Sequence, residues 1–373
     1  MNAGRAARSA LASLTLRTGA LSLMTRARRG GRGPLVHVVG FHRVVDEMPS
    51  PSVIPSLCIC TKSFARICAI AQKRFEVLAL DEAAAALAGK RPLARDALVI
   101  TFDDGYRDVY LRARPILRAL GLPATVFVPT GLVDTAQPLL HDRLYALLMQ
   151  AHKTRAAVEA APLPRVLRVP AARATVLLYR RADGPLDALE HLIATLPAPS
   201  LGRLADALED LVGSPPPPDE GALVMSRREL RACADDGIAL GAHTVDHVVL
   251  THVPPARVHR ELARPREELA AIAGRPCTAF AYCNGRHSPS VVAAVRRAGY
   301  AIAVTTRDAP NRAGADPFLL SRKVMWEGHV RGARGQFSWS LAAAQLHDLF
   351  GALGLTRPVD GGAPEETRWR HNA

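Results

Sequence analysis

Short apolar runs alternate with amphipathic stretches along most of the chain. The runs are rich in β-branched residues and end at turn residues, which is typical of buried strands. Seven of these runs begin at Leu35, Val77, Leu98, Ala124, Ile238, Thr278 and Ala301. Strands that alternate with helices through short links predict a parallel sheet with helices outside it. The predicted fold class is therefore α/β, a closed or nearly closed (β/α) barrel of about seven strands.

The alternation stops between residues 139 and 222, where the sequence is rich in Ala, Leu and Arg and mostly helical in pattern. The stretch ends in four consecutive prolines, Pro215 to Pro218, which form a stiff linker. We interpret it as an inserted helical subdomain at the barrel mouth, either a lid over a substrate groove or a loop without function. The barrel then comprises residues 34–138 and 223–332, and residues 333–373 form a C-terminal helix and tail.

Composition adds a strong positive charge, a formal +14 over 373 residues. Such a charge favours anionic partners. We find no zinc-finger spacing, no aromatic RNA-binding motif and no recognition-helix signature, so no nucleic-acid partner is expected. The six cysteines are scattered without CxxC pairs, which predicts free thiols in a reducing compartment.

Residues 1–33 form a basic leader that contains no acidic residue. Arg17 interrupts its only apolar run, so the leader gives no clear signal peptide, and no run reaches the length of a membrane span. Four residues could share one helical face: Leu11, Leu14, Leu21 and Met24. This leaves two alternatives for the leader, disorder or an amphipathic helix on an anionic membrane. We expect a cytoplasmic protein, with peripheral contact to the inner membrane as an open alternative.

Candidate chemistry begins where the run from Leu98 ends in Asp103, Asp104 and Gly105. Two adjacent carboxylates repel each other unless a proton, a cation or solvent relieves the repulsion. A solvated turn is one interpretation. Catalytic groups at the end of a buried strand are the other.

A second candidate follows the run from Ile238, where His243 and His247 lie four residues apart. A single helical turn would place both on one face. One Asp and two His form the ligand set of a catalytic metal site with an open position. Histidines at this spacing are also common on surfaces, but the strand-end carboxylates favour a metal. Zn²⁺ is the default for hydrolysis, and Co, Mn or Fe would fit the same ligands.

Several segments, in order along the chain, resemble the motifs of one enzyme family. Thr101–Tyr106 is similar to the first motif of the polysaccharide deacetylases, the NodB-homology or carbohydrate esterase 4 family. His243–His247 resembles their H(S/T)xxH motif, and Phe280–Gly285 their FAYPNG segment. Gly40–Val44 and Leu319–Arg322 resemble the opening and closing segments of a bacterial subgroup with a YHRV motif. The resemblance implies a distorted barrel with seven or so strands.

The resemblance also implies residue roles. Asp103 would be the general base, and Asp104, His243 and His247 would hold a divalent metal, Zn²⁺ by default. The reaction would be hydrolysis of N-acetyl groups by metal-activated water. The substrate would be an N-acetylhexosamine-containing polysaccharide, oligosaccharide or glycolipid.

Four further residues have expected roles around this centre. Tyr282 and Asn284 belong to the segment expected to bind substrate, with backbone N–H groups near Tyr282 as oxyanion donors. His42 and Arg322 are expected to lie behind the metal ligands and orient them. The alternative for His42 is a packed histidine near the barrel mouth.

The sequence departs from the family pattern at two positions. Cys283 stands where the family has a proline, which removes a constraint on the loop backbone. The late Leu-x-His motif reads Leu320-Ser321-Arg322, so the general acid is unassigned; His252 and His287 are candidates by residue type alone. The alternative function is therefore a catalytically weak binding or scaffold protein on the same fold, active in glycan assembly.

Overall fold

The computed structural model describes residues 3–31, 33–48, 53–153 and 184–356. The middle of the predicted insertion, residues 154–183, and the predicted tail from Arg357 lie outside these ranges. The strands are β1 Val36–Phe41, β2 Arg43–Val45, β3 Cys58–Cys60, β4 Glu76–Val77, β5 Ala97–Phe102, β6 Ala124–Val128, β7 Ile238–Ala242, β8 Ala279–Ala281, β9 Ile302–Val304 and β10 Lys323–Val324. The α-helices are α1 Ala3–Arg17, α2 Ala20–Arg29, α3 Thr61–Arg74, α4 Leu80–Leu87, α5 Arg114–Leu120, α6 Leu140–Lys153, α7 Pro185–Thr195, α8 Ala198–Val212, α9 Arg227–Asp235, α10 Pro255–Ala273, α11 Pro289–Arg297, α12 Glu327–Val330, α13 Trp339–Leu346 and α14 Leu349–Ala352.

The main sheet has eight parallel strands in the order β10-β1-β5-β6-β7-β8-β9, with β4 paired to the first half of β5. A bridge joins Val304, at the end of β9, to Leu320, which lies shortly before β10. Because β9 and β10 are the two edges of the sheet, this bridge brings the edges together and the sheet curls into a distorted barrel. All seven predicted strands are present, and the α/β prediction is confirmed. The eighth strand, β10, has only two residues, too few to give a sequence pattern.

The strands read as unbroken apolar runs because both of their faces are covered. Every residue of β1, β5 and β6 is buried, as is typical of parallel sheets with helices outside. Between α3 and the sheet, Phe41, Phe64 and Phe102 pack with ring centroids 5.3–5.8 Å apart. This aromatic cluster fixes the end of β5, from which the first carboxylates project.

One predicted helix differs from the expectation. The segment expected to be a single helix from Val109 to Leu120 begins with a π-helical turn at Val109–Ala113 and becomes α-helical at Arg114. Pro115 has no N–H to donate to the preceding turn, so the helix widens before it.

The three described helices of the predicted insertion, α6, α7 and α8, share an apolar core of their own. Leu148, Leu192 and Leu204 are buried in it. Two contacts tie these helices and the segment after them to the barrel: Arg43 pairs with Asp219 at 2.7 Å, and Arg286 donates to the carbonyl of Ala194 at 3.2 Å. The insertion therefore borders the edge where the parallel strands end.

The first two helices pack against the last two of the described chain. Ala12 and Leu21 are buried in the main core. Arg28 bonds Asp348 at 3.0 Å, and the Arg8 guanidinium lies 5.7 Å from the centre of the Phe350 ring. Within the described part of the chain, we find no helix that combines the length and apolar character needed to cross a membrane.

Candidate active site

The two adjacent carboxylates after β5 diverge because of their backbone conformation. Asp104 has φ 67° and Gly105 has φ 61°, so the chain turns sharply once the strand ends. The Asp103 N–H still donates to Phe41 of β1 at 2.8 Å. Asp103 therefore faces Arg322, whereas Asp104 faces the histidines of the loop after β7.

Asp104 lies at the centre of a buried group of nitrogen and oxygen donors. Its Oδ1 is 3.0 Å from His247 Nε2 and 3.4 Å from His243 Nε2. Burial would raise the pKa of Asp104, but the charge of His247 and the closeness of both imidazoles outweigh it and hold the pKa well below its usual value. The structure thus brings one carboxylate and two imidazoles together from two separate strand ends.

The donor set fits a divalent cation. Asp104 Oδ1 is buried and accepts no well-formed hydrogen bond from the described residues, although two ring nitrogens approach it. Buried acceptors are rarely left in this state without an ion or water between the groups. The Nδ1 of His243 lies 2.8 Å from the Ala281 carbonyl, to which it would donate, leaving a lone pair on the Nε2 that faces Asp104.

The two histidines do not share a helical turn, so that expectation is wrong. Residues 243–247 form a loop after β7, with Thr244 at φ 65° and His247 at φ 51°. Both values lie in the left-handed region, which side-chain-bearing residues rarely adopt. The loop nevertheless places the His243 and His247 ring centroids 4.9 Å apart.

Asp103 forms a buried bidentate ion pair with Arg322. Each of the two terminal guanidinium nitrogens lies 2.6 Å from one carboxylate oxygen. Arg322 is 0% exposed and Asp103 is 3% exposed. Burial would raise the pKa of Asp103, but the charge of Arg322 outweighs it and keeps the pKa below its usual value. His42 Nε2 is 3.9 Å from Asp103 Oδ2, so both expected orienting residues lie beside this carboxylate.

The segment expected to bind substrate is only partly available for that role. The Tyr282 hydroxyl donates to the Phe318 carbonyl at 3.1 Å, and its N–H donates to Val304 at 3.2 Å. That N–H is therefore occupied and does not serve as an oxyanion donor. Asn284 is exposed with φ 54°, at the rim of the site. The substrate-binding roles of both residues stay predictions.

Cys283, in place of the family proline, packs behind His243, on the Nδ1 side of its ring. Its Sγ is 3.8 Å from His243 Nδ1 and 3.7 Å from Thr244 Oγ1. Burial would raise the pKa of Cys283, but His243 and His247 outweigh it and lower the pKa. Cys283, His243 and His247 also form a group whose ligand atoms all lie within 4.8 Å of one another.

Sequence reasoning missed His141, at the start of α6. Its Nε2 lies 3.7 Å from Asp104 Oδ2 and 2.9 Å from the Tyr106 hydroxyl. That hydroxyl donates to Asp142 at 2.7 Å, and the two contacts of Tyr106 orient the His141 ring. Asp104, His141 and His247 form a second group with ligand atoms within 4.8 Å of one another. No motif marks His141, because only the docking of the inserted helices brings it to this edge.

The two general-acid candidates have other neighbours. The Nδ1 of His287 is 3.0 Å from the Gly285 carbonyl, and its ring lies 5.4 Å from that of Tyr282. Burial and the nearby Arg286 charge lower the pKa of His252, which lies half-buried near the backbone of Leu196. Of the described histidines outside the HxxxH motif, His42 and His141 have ion-pair distances to the two carboxylates.

Comparison with known families finds a match to the polysaccharide deacetylase model over residues 90–158 and 210–303, with a gap that falls inside the predicted insertion. The chain is 26% identical over 119 residues to YxkH of Bacillus subtilis, a protein described as a polysaccharide deacetylase; the match covers 31% of this chain and 42% of YxkH. It is 52% identical over 48 residues to poly-β-1,6-N-acetyl-D-glucosamine N-deacetylase of Escherichia coli K12, or 13% of this chain and 7% of that protein. The chain spans less than half the length of each of these relatives.

Solved structures show the same fold at low identity. The deacetylase PplD of Streptococcus pyogenes, in complex with acetate, superposes with a TM-score of 0.52 at 16% identity, covering 79% of this chain and 93% of PplD. IcaB from Ammonifex degensii gives a TM-score of 0.52 at 19% identity, covering 85% of this chain and 98% of IcaB. These likenesses establish the distorted barrel.

Proposed function

We propose that this chain, which matches the polysaccharide deacetylase model over residues 90–158 and 210–303, is a metal-dependent carbohydrate N-deacetylase. The observation that carries the proposal is the convergence of Asp104, His243 and His247 beside the ion-paired Asp103. One relative is a deacetylase of poly-β-1,6-N-acetyl-D-glucosamine, which supports an N-acetylated glycan as substrate. The substrate class we propose is an N-acetylhexosamine-containing polysaccharide, oligosaccharide or glycolipid.

Asp104, His243 and His247 would hold the cation, and Zn²⁺ suits one carboxylate and two imidazoles in a hydrolase. A divalent cation in this position lowers the pKa of water and polarises an amide carbonyl. The Nδ1 contact of His243 with the Ala281 carbonyl orients its ring and favours a lone pair on Nε2.

Asp103 would act as the general base. Arg322 fixes both of its oxygens and keeps it ionised, so it is ready to accept a proton from the attacking water. Attack on the carbonyl carbon and cleavage of its bond to nitrogen yield acetate and a free amine on the sugar. Arg322 stays protonated and supplies fixed positive charge, not a proton.

The inserted helices would form one wall of the glycan groove. His141 brings the insertion to Asp104, and the Arg286 contact with Ala194 joins α7 to the loop after β8. We propose this wall as the function of the segment from residue 139 to 222. The barrel would then be assembled from residues 34–138 and 223–332.

The basic first helices would provide weak contact with an anionic membrane. Leu14 and Leu23 are 61% and 68% exposed, and Arg5, Arg17 and Arg26 are exposed beside them. Exposed apolar and basic residues together favour anionic lipid surfaces. The described cysteines are all free thiols, which supports a reducing, cytoplasmic location.

The test is acetate release from oligomers of β-1,6- and β-1,4-linked N-acetylglucosamine by zinc-loaded protein. We expect release by the wild type, loss in Asp103→Asn and His243→Ala, and loss on chelation that added Zn²⁺ reverses. His259→Ala, an exposed histidine on α10, is the matched control and should keep wild-type rates. Glycan binding without acetate release, under every metal tested, would instead support the scaffold alternative.

A further inference from the structure

The loop that carries both metal-facing histidines has an unfavourable backbone and must be held by its surroundings. Thr244 and His247, neither of them glycine, both lie in the left-handed region. Such residues persist where neighbouring groups over-determine the conformation. The contacts around residues 244–246 therefore determine how far apart the two imidazoles stand.

One side of the loop rests on Glu261, a carboxylate from α10 that is 0% exposed. A single oxygen, Oε2, accepts hydrogen bonds from two consecutive backbone N–H groups, those of Val245 at 2.9 Å and Asp246 at 3.1 Å. The other oxygen pairs with Arg257 at 2.9 Å, and Arg257 also reaches the Asp246 carboxylate at 2.8 Å. A carboxylate that accepts backbone N–H groups in a dry site makes strong, directional bonds.

The opposite side of the loop rests on the backbone after β6. Gly131 N–H donates to the Val245 carbonyl at 2.8 Å, and Thr130 N–H to the Thr244 carbonyl at 3.3 Å. A Cβ on residue 131 would lie 2.9 Å from the Val245 carbonyl oxygen, so only glycine permits this approach. The loop is thus held by hydrogen bonds on both sides, to Gly131 on one and to Glu261 on the other.

We propose that Glu261 is a positioning residue for the metal centre, which sets the separation of His243 and His247 through the backbone of Val245 and Asp246. The inference rests on the proposed function, because it concerns the same metal ligands. Loss of the carboxylate frees two N–H groups and lets the loop leave its left-handed conformation, so the imidazoles no longer converge on Asp104. The carboxylate therefore controls metal affinity without contacting the metal.

The structure offers a matched control of the same design elsewhere. Glu327, at the start of α12, is also buried and accepts from the Cys60 N–H and the Ser63 hydroxyl, both at 3.0 Å. It pairs with Arg331 four residues away, as Glu261 pairs with Arg257. A Glu327→Gln variant therefore removes an equivalent buried carboxylate whose bonds go to other segments.

The experiment measures the zinc affinity of the full chain by competition with a chromophoric chelator, together with the visible spectrum of the cobalt-substituted protein. Glu261→Ala should bind zinc about 10- to 100-fold more weakly than the wild type, the usual effect of removing a group that orients a ligand. Glu261→Gln keeps one acceptor oxygen and should fall between the two. Glu327→Gln should retain wild-type affinity and the wild-type cobalt spectrum.

Hydrogen exchange supplies a readout that does not depend on metal. In metal-free protein the amides of Val245 and Asp246 should exchange faster in Glu261→Ala than in the wild type, and at wild-type rates in Glu327→Gln. Unchanged zinc affinity and exchange in Glu261→Ala would overturn the inference. A wild type that binds no metal would refute the proposed function, and the exchange rates alone would then decide whether Glu261 holds the loop.

Discussion

Replacing Arg322 by methionine should destabilise the protein more than most single substitutions. The change keeps an unbranched apolar stem but removes the only positive group with described hydrogen bonds to Asp103. It also removes the bonds of Arg322 to the Thr305 carbonyl at 3.1 Å and the Thr101 hydroxyl at 3.2 Å. Asp103 would be left as a buried carboxylate, with His42 3.9 Å away.

The magnitude follows from the burial of both partners. Removing one partner of a buried, hydrogen-bonded ion pair costs about 3–5 kcal/mol, because the remaining charge is uncompensated. The two bonds that the guanidinium donates to uncharged acceptors are lost as well, and their contribution is largely included in that range. We therefore expect Arg322→Met to lower the free energy of unfolding by about 4 kcal/mol at pH 7.

Urea unfolding at pH 7, followed by circular dichroism, measures this loss. Arg322→Lys keeps the charge but replaces the bidentate fork by one ammonium, so about half of the stability should return. The double variant Asp103→Asn/Arg322→Met removes both charges and should be more stable than Arg322→Met alone. Acetate release should fall by about 100-fold or more in Arg322→Met, because the base loses its fixed ionised state.

A free energy of unfolding of Arg322→Met within about 1 kcal/mol of the wild-type value would refute this reasoning, since so small a loss is typical of an exposed ion pair. Additive effects of the two single substitutions in the double variant would refute it as well. Zinc content serves as the control: it should stay near the wild-type value, because Arg322 bonds Asp103 and not Asp104.

Two further predictions concern histidines that the motifs do not mark. His141→Ala should lower acetate release by about 10-fold or more, with the fold intact by circular dichroism, because His141 borders Asp104; equal rates in variant and wild type would remove His141 from the site. Burial lowers the pKa of His347 to about 4, below its ordinary 6.5. As the pH falls, His347 in the unfolded chain is therefore protonated before His347 in the folded protein. Its contribution to stability is complete above pH 6.5 and is lost as the pH falls towards 4, by up to about 3 kcal/mol. Urea unfolding at pH 7 and pH 5 measures this loss. The free energy of unfolding should fall less between the two pH values in His347→Leu than in the wild type, and equal decreases would show that His347 is not responsible.

The strand pattern was predictable because buried parallel strands leave continuous apolar runs. The same pattern placed Asp103 and His243 at strand ends, and parallel strands bring such ends to one edge. Strand β10 escaped prediction because two residues, Lys323 and Val324, carry no periodicity. Its position depends instead on pairing with β1, a contact that only the closed sheet creates.

The conformation around the second motif could not be predicted from spacing. Histidines four apart suit a helical turn and an irregular loop equally well, and the loop here makes hydrogen bonds with Glu261 and Gly131, which lie outside the motif. The closeness of His141 to Asp104 depends likewise on how the insertion docks. The resemblance indicated Arg322 as a residue near the site, but its bidentate bond to Asp103 is a tertiary contact that no local pattern contains.

The docking of the first helices on the last ones has a consequence for synthesis of the chain. Arg28 bonds a residue 320 positions later, so α1 and α2 leave the ribosome long before the helices that cover them. At about 5–20 residues per second, this interval lasts roughly 16 to 64 s. Throughout it, the helices that pack against α1 and α2 have not been synthesised, and the basic, acid-free first segment lacks its acidic partner Asp348. The contact between the two ends of the described chain therefore forms only after nearly all of that chain has been made.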